Sequence, residues 1–232
     1  MELLAVCGEN LAVFAVIFAV GAFFGRPRPS ELYLRRIQWM DWVWGAMWSV
    51  GLRIGLMVGV LTVVAIFYLA QGGGELDLNN FRPKIESLID PHALMDPLYL
   101  FLSMTAVSMV TAGVREELWR AGTMAAIVNL FPASWKTDRP SLLDWRNWRS
   151  HRAHWAACLI ATVIFGLGHW PQGLPGMLLT GTLGLGLGLV MIYHRSFWVA
   201  AIAHGLLDAT TFGFLGLLQA FYPQVMKEFL SK

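Results

Sequence analysis

The chain is cut into long apolar blocks: Leu11 to Phe24, Trp42 to Ala70, Leu98 to Leu130, Trp155 to Trp170, Met177 to Tyr193 and Phe197 to Leu218. Most come close to the ~20 residues that an α-helix needs to cross bilayer hydrocarbon. No other feature restricts the fold so strongly. Backbone polar groups inside hydrocarbon find no water, so such blocks are stable only as helices whose N–H and C=O groups pair within the segment. Composition agrees: 14% of the 232 residues are charged and the mean hydropathy is +0.56, where a soluble domain carries about a quarter charged residues. The fold class expected is all-α, a polytopic transmembrane helical bundle of about six to eight spans, with one membrane domain filling residues 1–232. Tryptophans beside arginines or at block ends (Trp39, Trp42, Trp135, Trp145, Trp148, Trp170, Trp198) fit the aromatic belts of the two interfaces. The net charge of +2 indicates no particular partner, and no basic nucleic-acid patch, repeat or low-complexity run is present.

Cys7 and Cys158 both lie in apolar segments, which reads as small buried hydrophobes rather than a disulfide or ligand pair. Glu9 and Asn10 interrupt the first apolar run and no basic region precedes it, so it reads as a retained span and not a cleaved leader. Arg26, Arg28, Arg35 and Arg36 place the first loop in the cytoplasm by the positive-inside rule, and the acidic loop from Glu75 to Asp96 then falls outside. Arg53, inside the second block, is expected to snorkel or pair. Leu98 to Leu130 is long for one crossing and short for two. A single crossing puts the next basic loop (Lys136, Arg139, Arg146, Arg149, Arg152) inside, as charge bias requires. It also leaves Glu116 near mid-membrane while His169 approaches the outer face, at ~1.5 Å rise per residue. Both readings stand at this stage. The tail from Tyr222 to Lys232 is polar enough to leave the bilayer.

Within the third block sits Arg115-Glu116-Glu117-Leu118-Trp119-Arg120. A charge at the bilayer centre costs roughly 2.5 to 3.5 kcal/mol on insertion scales, so such a cluster persists only if its members pair or work. On a helix Arg120 is three residues from Glu117 and four from Glu116, which would let one guanidinium hold both carboxylates. Two further apolar helices carry ionisable groups: His169 in Phe-Gly-Leu-Gly-His, and His204 four before Asp208 in His-Gly-Leu-Leu-Asp. Groups of this kind on three helices point to a shared interior, since each would otherwise face lipid unsatisfied. Thr180, Gly184 and Gly188, at four-residue spacing, read as a small packing face.

What is absent narrows the chemistry. No apolar span sets a Ser or Cys beside a basic His in a recognisable nucleophile setting, and there is no His-Glu-x-x-His helix. That leaves water as the nucleophile to be expected of a hydrolytic site here. A glutamate in a dry site can act as its general base with a histidine orienting it, and a second histidine held by Asp208 can donate to an oxyanion.

The order Glu-Glu-x-x-Arg, Phe-x-x-x-His, His-x-x-x-Asp resembles that of the CPBP family, the CAAX proteases and bacteriocin-processing or immunity (ABI) proteins, over about residues 98–215. The last two motifs match closely, including Ser196-Phe-Trp-Val-Ala-Ala-Ile-Ala-His204, and His-x-x-x-Asp is an accepted variant of His-x-x-x-Asn. The first motif is one residue short of the family's Glu-Glu-x-x-x-Arg, and Gly113 stands where a proline often precedes the pair. The resemblance implies an intramembrane endopeptidase in which Glu116 and His169 activate water, while His204 and Asp208 form the oxyanion side. Glu117 and Arg120 would support them, Arg120 as a structural counter-ion. Alignment on the Glu pair selects Glu116 as base; alignment on Arg120 shifts Arg115 and Glu116 into the pair's places. The implied substrate is a peptide or a protein C-terminus, including a lipid-modified one, met within the lipid of the cell's plasma membrane. No cofactor is implied, although Glu116, His169, His204 and Asp208 are ligand types that zinc accepts. A proton-coupled transporter or a catalytically silent immunity or scaffold protein would use the same residue types.

Overall fold

The computed structural model describes residues 2–72, 81–84, 90, 92–137 and 151–225. Among these every long element is a helix: α1 (Glu2–Gly25), α2 (Trp39–Ala70), α3 (Pro97–Asn129), α4 (Arg152–Gly168), α5 (Gly173–His194) and α6 (Phe197–Phe221). Five of the helical segments are long and apolar enough to cross a membrane, and α4, at 17 residues, sits at the short limit for a span. The chain is therefore a polytopic helical bundle and an integral membrane protein. Arg139, Arg146, Arg149 and the acids Glu75, Asp77 and Glu86, used above for orientation, lie outside the described residues, as does the tail beyond Val225.

Local chemistry sets the helix ends. Pro27 and Pro29 follow the last turn of α1 and stop it. Asp96 caps α3 by accepting from the backbone N–H of Leu98 (2.7 Å) and Tyr99 (3.1 Å), with Pro97 at the first helical position. Arg195 closes α5 in the left-handed conformation, and the Ser196 hydroxyl accepts from Val199 N–H at the start of α6.

Pro97–Asn129 is one continuous helix, as a single crossing requires. The segment is a single helix whose middle, Ser103–Glu116, is wound in wide π-type turns; the Ser108 hydroxyl donates to the Ser103 carbonyl five residues back (2.7 Å). Wide turns hold more residues each than the α-helix's 3.6, so this stretch advances less along its axis than an α count assumes. That shortening helps bring Glu116 to the level of His169, the level at which a uniform α-helix failed to place it. The wide stretch lies directly on α6, and a Cβ at Gly113 would stand 2.6 Å from the Ala201 carbonyl, so only glycine permits the approach. With one crossing per helix, the loops after α1 and after α3 share a face, and Arg195 joins them there, in agreement with the positive-inside rule.

A buried strap ties the first of these loops to α6. Asp41, 1% exposed, accepts from the Gln38 N–H (2.8 Å) and the Ser196 hydroxyl (3.3 Å) and is gripped by both terminal nitrogens of Arg35. The Trp198 indole donates to the Arg35 carbonyl (2.8 Å) and the Phe197 N–H to the Tyr33 carbonyl (2.9 Å). Such a buried carboxylate is tolerable because every oxygen has a partner. Arg53 pairs rather than snorkels: one terminal nitrogen donates to the Leu207 carbonyl and the Thr210 hydroxyl (both 2.6 Å) on α6. Val6, Val16 and Val20 of α1 and Met57, Val58 and Leu61 of α2 stay exposed, as lipid-facing surfaces should. The tight core lies between α3, α4, α5 and α6, where Ala121, Ala157, Ala161 and Ala200 are fully buried. Cys7 and Cys158 are buried free thiols.

Candidate active site

Glu117, fully buried on α3, holds two groups at once. Arg120 grips it through Nε (2.9 Å) and one terminal nitrogen (3.1 Å), and His204 Nδ1 on α6 lies 2.9 Å from its Oε1. A carboxylate only accepts, so the Nδ1 proton belongs to His204 and the ring's Nε2 is aimed the other way. The Arg120 guanidinium also lies 4.2 Å over the Phe165 ring, a cation–π contact of the kind that gains strength when desolvated. Gly184 makes room for it: a Cβ there would stand 2.8 Å from an Arg120 nitrogen and 2.9 Å from Phe165. The small face read on α5 therefore has a specific function, to seat the guanidinium.

Arg120 does not hold both carboxylates. Successive residues on a helix diverge by ~100°, so with Glu117 packed against Arg120 its neighbour turns away. Glu116 instead pairs with Arg115, at 2.7 Å, and both side chains remain about one-fifth exposed (18% and 22%). They face a cavity of about 570 Å³ bounded by α1, α3 and the outer end of α4.

His169 lines the same cavity. It caps α4, with its ring 4.5 Å from that of Phe165 and Nδ1 2.8 Å from the Phe165 carbonyl. That carbonyl only accepts, so Nδ1 is the protonated nitrogen and, in the neutral ring, Nε2 keeps its lone pair. His204 Nε2 stands 3.9 Å from Glu116 Oε2 and 3.8 Å from Asp208 Oδ2, too far for direct hydrogen bonds. Glu116 and His169 thus stand on the cavity wall, and His204 stands behind Glu116 with Asp208 one turn further along α6.

Residues 97–210 match the model of the family described as type II CAAX prenyl endopeptidase Rce1-like. The chain carries an Rce1-like domain. This is a protease family of integral membrane proteins that acts on proteins or peptides, in keeping with the resemblance read from the motifs. The Rce1-like domain runs from the first residue of α3 into α6 and contains Glu116, Glu117, Arg120, His169, His204 and Asp208; α1 and α2 lie outside it. Comparison with curated proteins and with solved structures returns no match.

Part of the site comes from beyond the Rce1-like domain, and sequence reasoning did not find it. Phe14 and Ile17 of α1 form one wall of the main cavity, and they continue with Trp119 into a second space of about 240 Å³ that reaches Gly25 and Asn129. Only Asn10, which interrupts the apolar run and lines the same cavity, distinguishes this wall in sequence from a lipid-facing apolar surface. Arg115 was read only as one charge of the cluster, and its pairing depends on which way Glu116 turns. Among the described residues no group of three or more His, Cys, Asp or Glu is arranged to hold a metal ion.

Proposed function

We propose that the protein is an intramembrane endopeptidase in which Glu116 and His169 activate a water molecule to attack a peptide bond. The observation that carries this reading is that both face one cavity inside an apolar bundle, with His204 Nε2 3.9 Å from Glu116. Glu116 takes a proton from water, and the His169 Nε2 lone pair orients the same water. Attack on the carbonyl carbon gives a tetrahedral oxyanion. His204 stabilises it through an Nε2–H donor, the ring being held by Glu117 on the opposite nitrogen, and Asp208 steadies that edge. The proton on Glu116 then passes to the leaving amine as the peptide bond breaks, which returns the carboxylate. Glu117 and Arg120 position His204 and do not touch substrate.

On this reading residues 98–215 form the catalytic core, and α1 and α2 complete the same membrane domain. The apolar space between α1 and α3 suits a lipid-modified peptide: the reacting bond lies by Glu116 and the hydrocarbon runs past Trp119 toward Gly122. We place the protein in the plasma membrane. Incubation of the detergent-purified protein with lipid-modified and plain peptides, followed by mass spectrometry of the products, tests the reading. Cleavage by the parent and none by Glu116→Gln supports it; equal cleavage by both refutes it. A transporter or a silent scaffold would cleave neither peptide.

A further inference from the structure

The basic face of the bundle holds a second, polar pocket that the catalytic reading does not use. It encloses about 100 Å³ where the loop after α1, the end of α3, the loop after α3 and the start of α4 meet. His154 on its wall precedes His169 by fifteen residues, roughly 22 Å along α4 at ~1.5 Å per residue, so the pocket lies at the far end of that helix from the cavity of Glu116.

The lining of this pocket has a definite charge. Arg28 and Lys136 face it against a single carboxylate among the described residues, Glu31. That carboxylate is already engaged, since its Oε2 accepts from the Arg28 backbone N–H (2.9 Å) within one turn of the loop. The Lys136 ammonium is folded back over the end of α3, where it donates to the Asn129 carbonyl (3.1 Å) and keeps two of its three N–H groups for another partner. His154 Nε2 donates to the Thr137 carbonyl (3.0 Å), which pins the loop carrying Lys136 against α4. Two cations from two different loops are thus held around one small space. Asn129 also borders the apolar space between α1 and α3, as does Pro27 beside Arg28, so the polar pocket adjoins a lipid-facing cleft where both helices end.

We propose that this pocket receives a phosphate group, as carried by the headgroup of an anionic membrane lipid, with Arg28 and Lys136 as its ligands. Basic pockets between membrane helices on the cytoplasmic side suit such headgroups. The Arg28 fork grips two phosphate oxygens and the Lys136 ammonium answers a third as a point charge. Because one cation comes from each loop, the bound phosphate clamps the end of α1 to the end of α3 and stabilises the folded chain by mass action.

The test measures Tm of the detergent-purified parent and of the double variant Arg28→Gln with Lys136→Gln. Phosphatidylglycerol should raise Tm of the parent by about 5 °C or more at roughly 100 times its Kd, and should leave the variant within about 1 °C of its lipid-free value. Phosphatidylcholine, whose phosphate carries its own cation, should raise the parent much less. Inorganic phosphate, compared with chloride at equal ionic strength, separates the sources: a rise in the parent that the variant lacks supports the same site filled from solution. Glu31→Gln, which keeps the acceptor and removes the repelling charge, should tighten phosphatidylglycerol binding several-fold. Should the double variant melt below the parent in detergent alone, native mass spectrometry of phosphatidylglycerol retained by each protein replaces Tm. Equal effects of phosphatidylglycerol on parent and variant, equal effects of the two lipids on the parent, or no effect of either phosphate source overturns the proposal.

Discussion

Replacing Arg120 by alanine isolates the physics of the buried cluster. The guanidinium and the Glu117 carboxylate are 1% and 0% exposed, joined by hydrogen bonds of 2.9 and 3.1 Å. Removal of one partner of such a pair costs roughly 3 to 5 kcal/mol, chiefly because the other charge stays behind in low dielectric. Loss of the contact over Phe165 adds about 1 kcal/mol. For a chain of this size each kcal/mol lowers Tm by about 2–4 °C, so Arg120→Ala should melt roughly 8–24 °C below the parent. Differential scanning fluorimetry in detergent reads this directly. Arg120→Lys should fall between the two, since it keeps charge but not the two-pronged grip. The double variant Arg120→Met with Glu117→Gln should recover part of the loss, because it removes the stranded charge and leaves an amide oxygen to accept from His204. If Arg120→Ala melts with the parent while proteolysis disappears, the arginine is acting on substrate and its assignment as a buried counter-ion is wrong.

Three further outcomes are expected. Glu116→Gln and His169→Ala should each lower kcat on the order of 10² to 10⁴ with Tm little changed, since both side chains face the cavity rather than the packed core; Asp208→Asn, which preserves a hydrogen-bonding group beside His204, should lose much less in the same peptide assay. Gly184→Ala should destabilise by about 1–3 kcal/mol, as its methyl would press on Arg120 and Phe165, whereas Gly55→Ala, with no atom within 4 Å of the new methyl, should melt like the parent. Gly122 lines the space beside α1, where a Cβ would already stand 3.2 Å from Phe18; Gly122→Leu should therefore reduce cleavage of a lipid-modified peptide by at least about tenfold relative to its plain counterpart, and an unchanged ratio would place the hydrocarbon elsewhere.

The sequence alone determined the class of the fold and the identity of the ionisable cluster, for one reason: hydrocarbon penalises unpaired polar groups so heavily that long apolar blocks must be helices, and charges within them must have a purpose. Glu116, His169 and His204 were legible as candidates on that ground. Their division of labour was not. Whether Arg120 grips one glutamate or two depends on the angle at which neighbouring residues leave a helix and on what stands opposite, namely Phe165 on α4 and the gap at Gly184 on α5. The number of crossings between Leu98 and Leu130 depends on turn width, and the wide turns of Ser103–Glu116 are adopted where Gly113 and Gly205 let α3 and α6 meet closely. Likewise Arg35 and Asp41 read as ordinary loop charges until Ser196 and Trp198, more than 150 residues later, close over them. Apart from Asn10, the wall contributed by α1 has the same apolar letters as its lipid-facing side. Only packing against Trp119 separates the two, because hydrophobicity says that a side chain avoids water but not whether protein or lipid will receive it.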